Sequence, residues 1–330
     1  MENYSFILGV DVSKLTLDIS CAELRLHLKI NNDSKGFAEF KKWCKINAIS
    51  LCKTFIVMEH TGGYEYRFIQ FCDSLSIAYC RISPLEIKRS MGMTRGKNDK
   101  VDSYRISQYG EEKIKRLKPD QPIDTNILLL KQLLSFRKRL VRESAGLKAT
   151  LKERKHIYKI NKSDEIVRIS TEKIKSNLHF IEQLEGEIMS LIKSNEVFFL
   201  NYRILRSVKG IGPINACMTL AYTENFNSFT DARKYAVYVG VVPFENTSGT
   251  SIKGKMRTSI LSNRDLKQEL NQAAKVAIAH DPEMRAYADR KLKNKCWPVV
   301  LNNVKFKLIL RMFSLVKRGE MYVENYSRVA

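Results

Sequence analysis

The sequence has no run of about 18 apolar residues, so it contains no evident membrane span. Its start, Met1-Glu2-Asn3-Tyr4-Ser5, lacks the basic segment and long apolar core of a secretory leader. Cysteine is sparse and unordered: seven residues, at 21, 44, 52, 72, 80, 217 and 296, without a Cys-x-x-Cys pair. An odd, scattered set argues against a disulfide framework or a zinc ribbon and reads as reduced thiols of a cytoplasmic protein. The five histidines (27, 60, 156, 179, 280) have no metal-ligand spacing. Acidic residues are outnumbered, 35 against 57 Lys and Arg, giving a formal charge of +22. The excess is spread through segments with hydrophobic periodicity. That points to a nucleic acid partner ahead of an anionic membrane or a general solubility bias.

What is present is enough apolar content, 44% of 330 residues, for two or three domains. Phe6 to Asp11 and Phe55 to Glu59 are apolar runs that each end in a carboxylate, and both read as buried strands. Residues 16–20 and 24–30 alternate apolar and polar, the period of half-exposed strands. Ser34 is expected to cap a helix carrying Phe37, Phe40 and Trp43. Thr61-Gly62-Gly63 turns into a helix with Phe68, Phe71 and Leu75, and residues 77–82 form a further strand. The order β-β-β-α-β-α-β predicts a mixed sheet with a leading meander and later crossovers, the order of the α/β RNase H-like (RuvC-like) fold. Asp99 and Asp102 share a face if a helix starts near Asp99. Asp11, Glu59, Asp99 and Asp102 are therefore the candidate metal ligands, because phosphodiester cleavage needs charge neutralised on the attacking and leaving oxygens. A structural or capping role is the competing reading. Asp18 reads as solvated, Glu65 stays outside the set, and His60 reads equally as a neighbour of the metals or a satisfied polar residue.

Pro119 and Pro122 mark one boundary and a third region begins near Val197, which divides the chain into residues 1–122, a helical coiled-coil linker at 123–196, and a mainly α domain at 197–330. Leu129, Leu133, Phe136, Leu140, Leu147 and Leu151 form one helical stripe; Ile174, Leu178, Ile181, Ile188 and Ile192 form a second. The two predict an antiparallel hairpin or a coiled coil with another subunit. Residues 131–159 hold ten Lys/Arg and two Glu. This excess favours phosphate contact by Arg137, Lys138, Arg139 and Arg142 over a solvated face. Lys209-Gly210-Ile211-Gly212 opens an apolar helix, Ile214 to Tyr222, as in a helix-hairpin-helix element whose backbone N–H groups meet a phosphate. Tyr222, Tyr235 and Tyr238 read as core or as a stacking surface. Residues 245–251 read as a polar loop leading to the cations Lys253, Lys255 and Arg257, and within it Ser248 reads as a turn residue. Val299 to Lys317 forms a closing helix.

Gly-Val-Asp-Val-Ser-Lys (9–14), Met-Glu-His-Thr-Gly-Gly-Tyr (58–64) and Asn-Asp-Lys-Val-Asp (98–102) resemble the N-terminal part of the DEDD-type insertion-sequence transposases. Val-Lys-Gly-Ile-Gly-Pro (208–213), Phe-Thr-Asp-Ala-Arg-Lys-Tyr (229–235), Val-Gly-Val-Val-Pro (239–243) and Thr-Ser-Gly (247–249) resemble their C-terminal domain. The resemblance implies a serine-using recombinase guided by a bridge RNA that pairs with target and donor DNA. It implies that Asp11, Glu59, Asp99 and Asp102 hold Mg²⁺, with Mn²⁺ as a substitute, and that Ser248 is the nucleophile. It also implies a dimer of dimers, with metals and serine from different subunits, acting at the nucleoid of a bacterial cytoplasm. Ser262-Asn263 stands where many relatives have Gly-Asn. Two rival readings are a Holliday-junction type RuvC-like endonuclease that uses water, and a non-catalytic nucleic-acid scaffold.

Overall fold

The structure, a computed structural model, describes residues 4–90, 98–122, 124–158, 164–248 and 252–324. For residues 246–248, 252, 253 and 255 it describes the backbone only. The chain divides into two compact units, Met1–Ile123 and Asp124–Ala330.

The first unit is built on a five-stranded sheet. Strands β1 (Phe6–Val12), β2 (Thr16–Cys21) and β3 (Leu26–Asn31) form an antiparallel meander. Helix α1 (Ser34–Ile46) then leads to β4 (Thr54–Glu59), α2 (Tyr66–Ser74), β5 (Ala78–Ile82), α3 (Pro84–Ser90) and α4 (Asp99–Lys113). Strand order is β3-β2-β1-β4-β5, with β1, β4 and β5 parallel. This is the mixed sheet expected of a RuvC-like DEDD domain. The cap of α1 is Asp33, not Ser34: the Asp33 side chain accepts from Gly36 N at 2.9 Å, and Ser34 is already helical.

Alternation along the strands sorts the side chains between two cores. Leu8, Val10 and Val12 of β1, with Ile56 and Met58 of β4, pack among Phe37, Phe40 and Phe68 of α1 and α2. Ile7 of β1, with Phe55 and Val57 of β4, packs among Ile87, Ile106 and Tyr109 of α3 and α4. Helix α4 lies unusually close to the sheet because small residues face it. A Cβ on Gly9 would stand 2.1 Å from Ser107 N and 2.2 Å from Ser103 O. Ser107 Oγ donates to Ile7 O (2.8 Å) and accepts from Ala22 N (2.9 Å), while Ser20 and Ser103 share a buried hydroxyl bond of 2.7 Å. These bonds satisfy polar groups that the close approach would otherwise strand away from water.

The second unit is mainly helical. Helices α5 (Thr125–Ile157) and α6 (Glu165–Lys193) pack antiparallel, tied by Arg137–Glu185 (2.6 Å), Lys173–Glu143 (3.6 Å) and Arg154–Asp164 (3.2 Å). The seam on α6 includes Ile174, Ile181, Ile188 and Ile192 as expected, but Leu178 is exposed. On α5 the buried positions are Ile127, Leu130, Leu134 and Leu140, whereas Leu129 and Phe136 face water. Runs such as Leu128-Leu129-Leu130 offer several stripes, and packing selects one of them. The base of the hairpin shares a core with α7 (Glu196–Ser207), α8 (Pro213–Thr223), α9 (Ala232–Val239), α10 (Arg264–His280), α11 (Pro282–Leu292) and α12 (Trp297–Arg318). Tyr235 is fully buried there, in ring contact with Phe229, Tyr238 and Phe313, which makes it core. The expected polar loop is largely a hairpin: β6 (Pro243–Ser248) pairs antiparallel with β7 (Ile252–Thr258), closing at Ser248 opposite Ile252. Backbone pairing thus extends to Ser248 itself, which the polar side chains of residues 245–251 concealed. Among the described residues no helix is long and apolar enough to cross a membrane.

Candidate functional site

Val10 pairs with Met58, so Asp11 and Glu59 are the next residues on adjacent parallel strands. By alternation Asp11 follows Ile7 and Gly9 onto the α4 face, and Glu59 follows Phe55 and Val57 onto it. Helix α4 brings Asp99 and Asp102 to that face in its first turn, behind the Asn98 cap, whose side chain accepts from Lys100 N at 3.0 Å. Carboxylates in a first turn are favoured by the helix dipole. Electrostatics register the grouping. The Asp11 carboxyl is pushed up to about 6, first by burial and then by the negative charges of Asp99, Glu59, Asp102 and Asp18. Local cations offset this only in part. Lys29 lies 3.9 Å from Asp99, and Arg105 lies 3.2 Å from Asp102.

The donor chemistry, several carboxylate oxygens and a charge deficit, fits a hard divalent cation. The oxygens do not yet converge: among the described residues no three His, Cys, Asp or Glu side chains stand close enough to hold one ion. Asp99 in particular is well exposed, its side chain 59% open to solvent.

Two acids differ from the sequence reading. Asp18 is buried, not solvated: it lies opposite Asp11, under α4, and is held by His27 at 2.9 Å and Lys29 at 3.3 Å. The alternation that seemed to send it to water sends it to the second covered face. Glu65 is buried at the start of α2. It accepts from Thr61 Oγ1 (2.6 Å) and Gly63 N (2.8 Å) and lies 3.1 Å from His60 Nδ1. Burial alone would raise its carboxyl, but bonds from His60, Thr61 and backbone N–H groups hold it down at about 2. His60 thus serves the turn after β4. A carboxyl held low stabilises the fold above its ordinary range and stops doing so as pH falls towards 2. Glu65→Gln is expected to lower the melting temperature at pH 7 by several degrees. The gap to wild type should narrow as the pH drops from about 4.5; thermal scans across that range test it.

The expected phosphate-binding cations meet their own chain. Arg137 is paired with Glu185, Lys138 and Arg142 with Asp265, and Lys209 with Glu324. Among the described residues Arg139 and Arg257 have no ion pair, and both are exposed. Gly210 has φ +95°, and a Cβ there would stand 2.4 Å from Ala273 O, so close packing on α10 accounts for it. Gly212 caps α8 with open space before it. Ser248 ends β6; its side chain and those of Lys253 and Lys255 lie outside the described residues, as does Gly249. Ser262 sits against Gly240, where a Cβ would come within 2.3 Å of Ser262 Cβ, and Asn263 caps α10.

Known proteins resemble this chain along most of its length. The DEDD transposase profile for IS110 elements, described as "Transposase", matches residues 8–154. The profile "Transposase IS116/IS110/IS902 family" matches residues 202–289. The "Pilin gene-inverting protein" of Moraxella lacunata is 24% identical over 327 residues, covering 96% of this chain and 97% of that protein. Its counterpart in Moraxella bovis gives the same figures. The "Insertion element IS110 uncharacterized 43.6 kDa protein" of Streptomyces coelicolor is 29% identical over 140 residues, 42% of this chain and 33% of that protein. These matches place a DEDD transposase domain over residues 8–154 and a second transposase domain over residues 202–289, the domains of DNA transposases. Within that class the chain carries, in order, both transposase domains of the IS110 family.

Proposed function

We propose that the chain cuts and rejoins DNA through a phosphoserine, with Asp11, Glu59, Asp99 and Asp102 as metal ligands and Ser248 as nucleophile. The observation that supports the acidic half is the shared face: three other members of the set raise the Asp11 carboxyl. Bound Mg²⁺ or Mn²⁺ would supply positive charge to the oxygens of the scissile phosphate. The carboxylates hold and orient that charge from two strands and one helix start. The Ser248 hydroxyl attacks phosphorus, a Ser248 Oγ–P bond forms, and the bond from phosphorus to the 3′ oxygen breaks. The proton lost by serine is balanced by one gained at the freed 3′ oxygen. Joining reverses the step: a 3′-hydroxyl of the second strand attacks, and the serine leaves with its proton restored.

The finer reading follows the resemblance. A bridge RNA from the element selects target and donor DNA, and the protein works as a dimer of dimers with the two halves of the site on different subunits. The α5–α6 hairpin is the proposed linker between the two catalytic parts. Lys209, Gly210, Gly212, Arg137, Lys138, Arg139, Arg142, Lys253, Lys255 and Arg257 remain the proposed nucleic-acid contacts. Arg139 and Arg257 are readier than Arg137, Lys138, Arg142 and Lys209, whose ion pairs must open before they can meet phosphate.

The test is a covalent trap. Protein, Mg²⁺, the flanking RNA of the element and matching DNA are incubated and run on a denaturing gel. Wild type is expected to give a protein–DNA adduct that Ser248→Ala abolishes. Cleaved DNA without an adduct, in equal amounts from both proteins, sinks the serine step and favours the water-using endonuclease.

A further inference from the structure

The second unit holds a cavity of about 880 Å³ between the β6–β7 hairpin, α10 and the start of α12. Pro243, Met256 and Thr258 of the hairpin form one wall, and Trp297 and Phe306 of α12 form another. Four lysines line it, Lys267, Lys275, Lys295 and Lys305, and among the described residues no acid does. Lys305 is only 4% exposed. Among the described residues it has no ion pair and no hydrogen bond, whereas Lys267 Nζ donates to Thr258 Oγ1 at 2.9 Å. Burial, and then the charge of Lys267, pulls the Lys305 ammonium down to about 8; burial also lowers Lys267. Two partly desolvated ammonium groups side by side are unfavourable unless an anion offsets them. Trp297 presents 42% of its surface, and Asn271 and Asn303 add amide donors and acceptors.

We propose that this cavity takes one nucleotide of a bound strand, its phosphate on Lys305 and Lys267 and its base against Trp297. Lysines neutralise the phosphate, and an aromatic face accepts any base, which suits a site that holds a strand without reading its sequence. The volume lies within the range of small-molecule pockets and exceeds what a lone phosphate needs. The cavity lies at the Pro243–Thr258 end of the hairpin and Ser248 at its other end, so a nucleotide held here would anchor a strand on the element that carries the serine. The inference rests on the proposed action on nucleic acid and adds a place where a strand is gripped.

The test uses the full chain carrying Trp43→Phe, which leaves Trp297 as the one indole. Titration with 5′-phosphorylated dT5 at low salt should quench Trp297 fluorescence in a saturable way. Adding Lys305→Met, which keeps the side-chain length and removes the buried charge, should weaken this response at least tenfold. An unchanged curve overturns the proposal. So does inorganic phosphate competing as tightly as dT5, which would make the cavity a phosphate site alone. The first arm alters no cavity residue, so it stands even if Lys305→Met misfolds. A long duplex shifted on a native gel, with Trp297 unmoved by dT5 or by that duplex, removes the cavity and leaves the broader reading intact. No shift with any DNA or RNA removes both.

Discussion

Asp11→Asn is expected to abolish DNA cleavage, by about three orders of magnitude or more, while raising the melting temperature of the metal-free protein. The two effects have one source. The Asp11 carboxyl is pushed from its ordinary value up to about 6 by burial and by the charges of Asp99, Glu59, Asp102 and Asp18. A group raised in the folded state contributes stability below its unfolded value and loses it as pH climbs through the folded value. Asp11 therefore costs stability above pH 6, less between about 6 and 4, and nothing below that. The shift would correspond to about 3 kcal/mol at full strength. Solvent screening of a partly exposed group reduces that to about 1 kcal/mol, or roughly 4 °C for a unit of this size. Asparagine keeps the shape and removes the charge. In EDTA at pH 7.5 the variant should melt above wild type, and at pH 4 the two should converge. Mg²⁺ should raise the wild type more than the variant. If Asp11→Asn melts lower at pH 7.5 and Mg²⁺ affects both equally, Asp11 has a structural role and the acidic set is not a metal site.

Much of this site was legible because strand period and apolar runs are local properties. Phe6 to Asp11 and Phe55 to Glu59 could only end side by side once β1 and β4 paired in parallel, and the order of elements predicts that pairing. The start of α4 at Asp99 supplies the condition on which the reading of Asp99 and Asp102 as one face depended. What was hidden depended on distant partners. Asp18 seemed solvated because nothing in its own strand announces that α4 covers it; the clue was the small-residue run Ser103, Ser107, Gly110 on that helix. The basic stretch of α5 showed its charge but not that Glu185 and Asp265 answer Arg137, Lys138 and Arg142 from 48 to 127 residues away. Lys305 carried no sequence signal at all: only the packing of α12 against α10 and the hairpin makes it a buried cation.

Gly9→Ala is expected to be among the most damaging single-methyl changes in the first unit, and to take the acidic site with it. The added Cβ would fall 2.1 Å from Ser107 N and 2.2 Å from Ser103 O. Both are backbone atoms of a helix, so no side chain can rotate away. Either α4 lifts off the sheet or β1 buckles. Lifting α4 opens the bonds of Ser107 to Ile7 and Ala22 and the buried Ser20–Ser103 contact. Overpacking of this kind costs about 1–3 kcal/mol, and each opened buried bond adds about 1 kcal/mol. The sum, on the order of 4 kcal/mol, is a large share of what holds a domain folded. Gly110→Ala is the control from the same contact: its Cβ would meet Ile7 Cγ2 at 2.6 Å and Val57 Cγ2 at 2.8 Å, methyl groups that can shift. It should cost about half as much. Urea unfolding followed through Trp43, in the first unit, with Trp297→Phe as the common background, measures both. Because Asp99 and Asp102 ride on α4, Gly9→Ala should also lose the Mg²⁺-dependent rise in melting temperature, even under mild conditions where the unit stays folded. Equal stability of Gly9→Ala and wild type would mean that α4 does not lie against β1 as described, and the geometry that brings the four carboxylates to one face would fall with it.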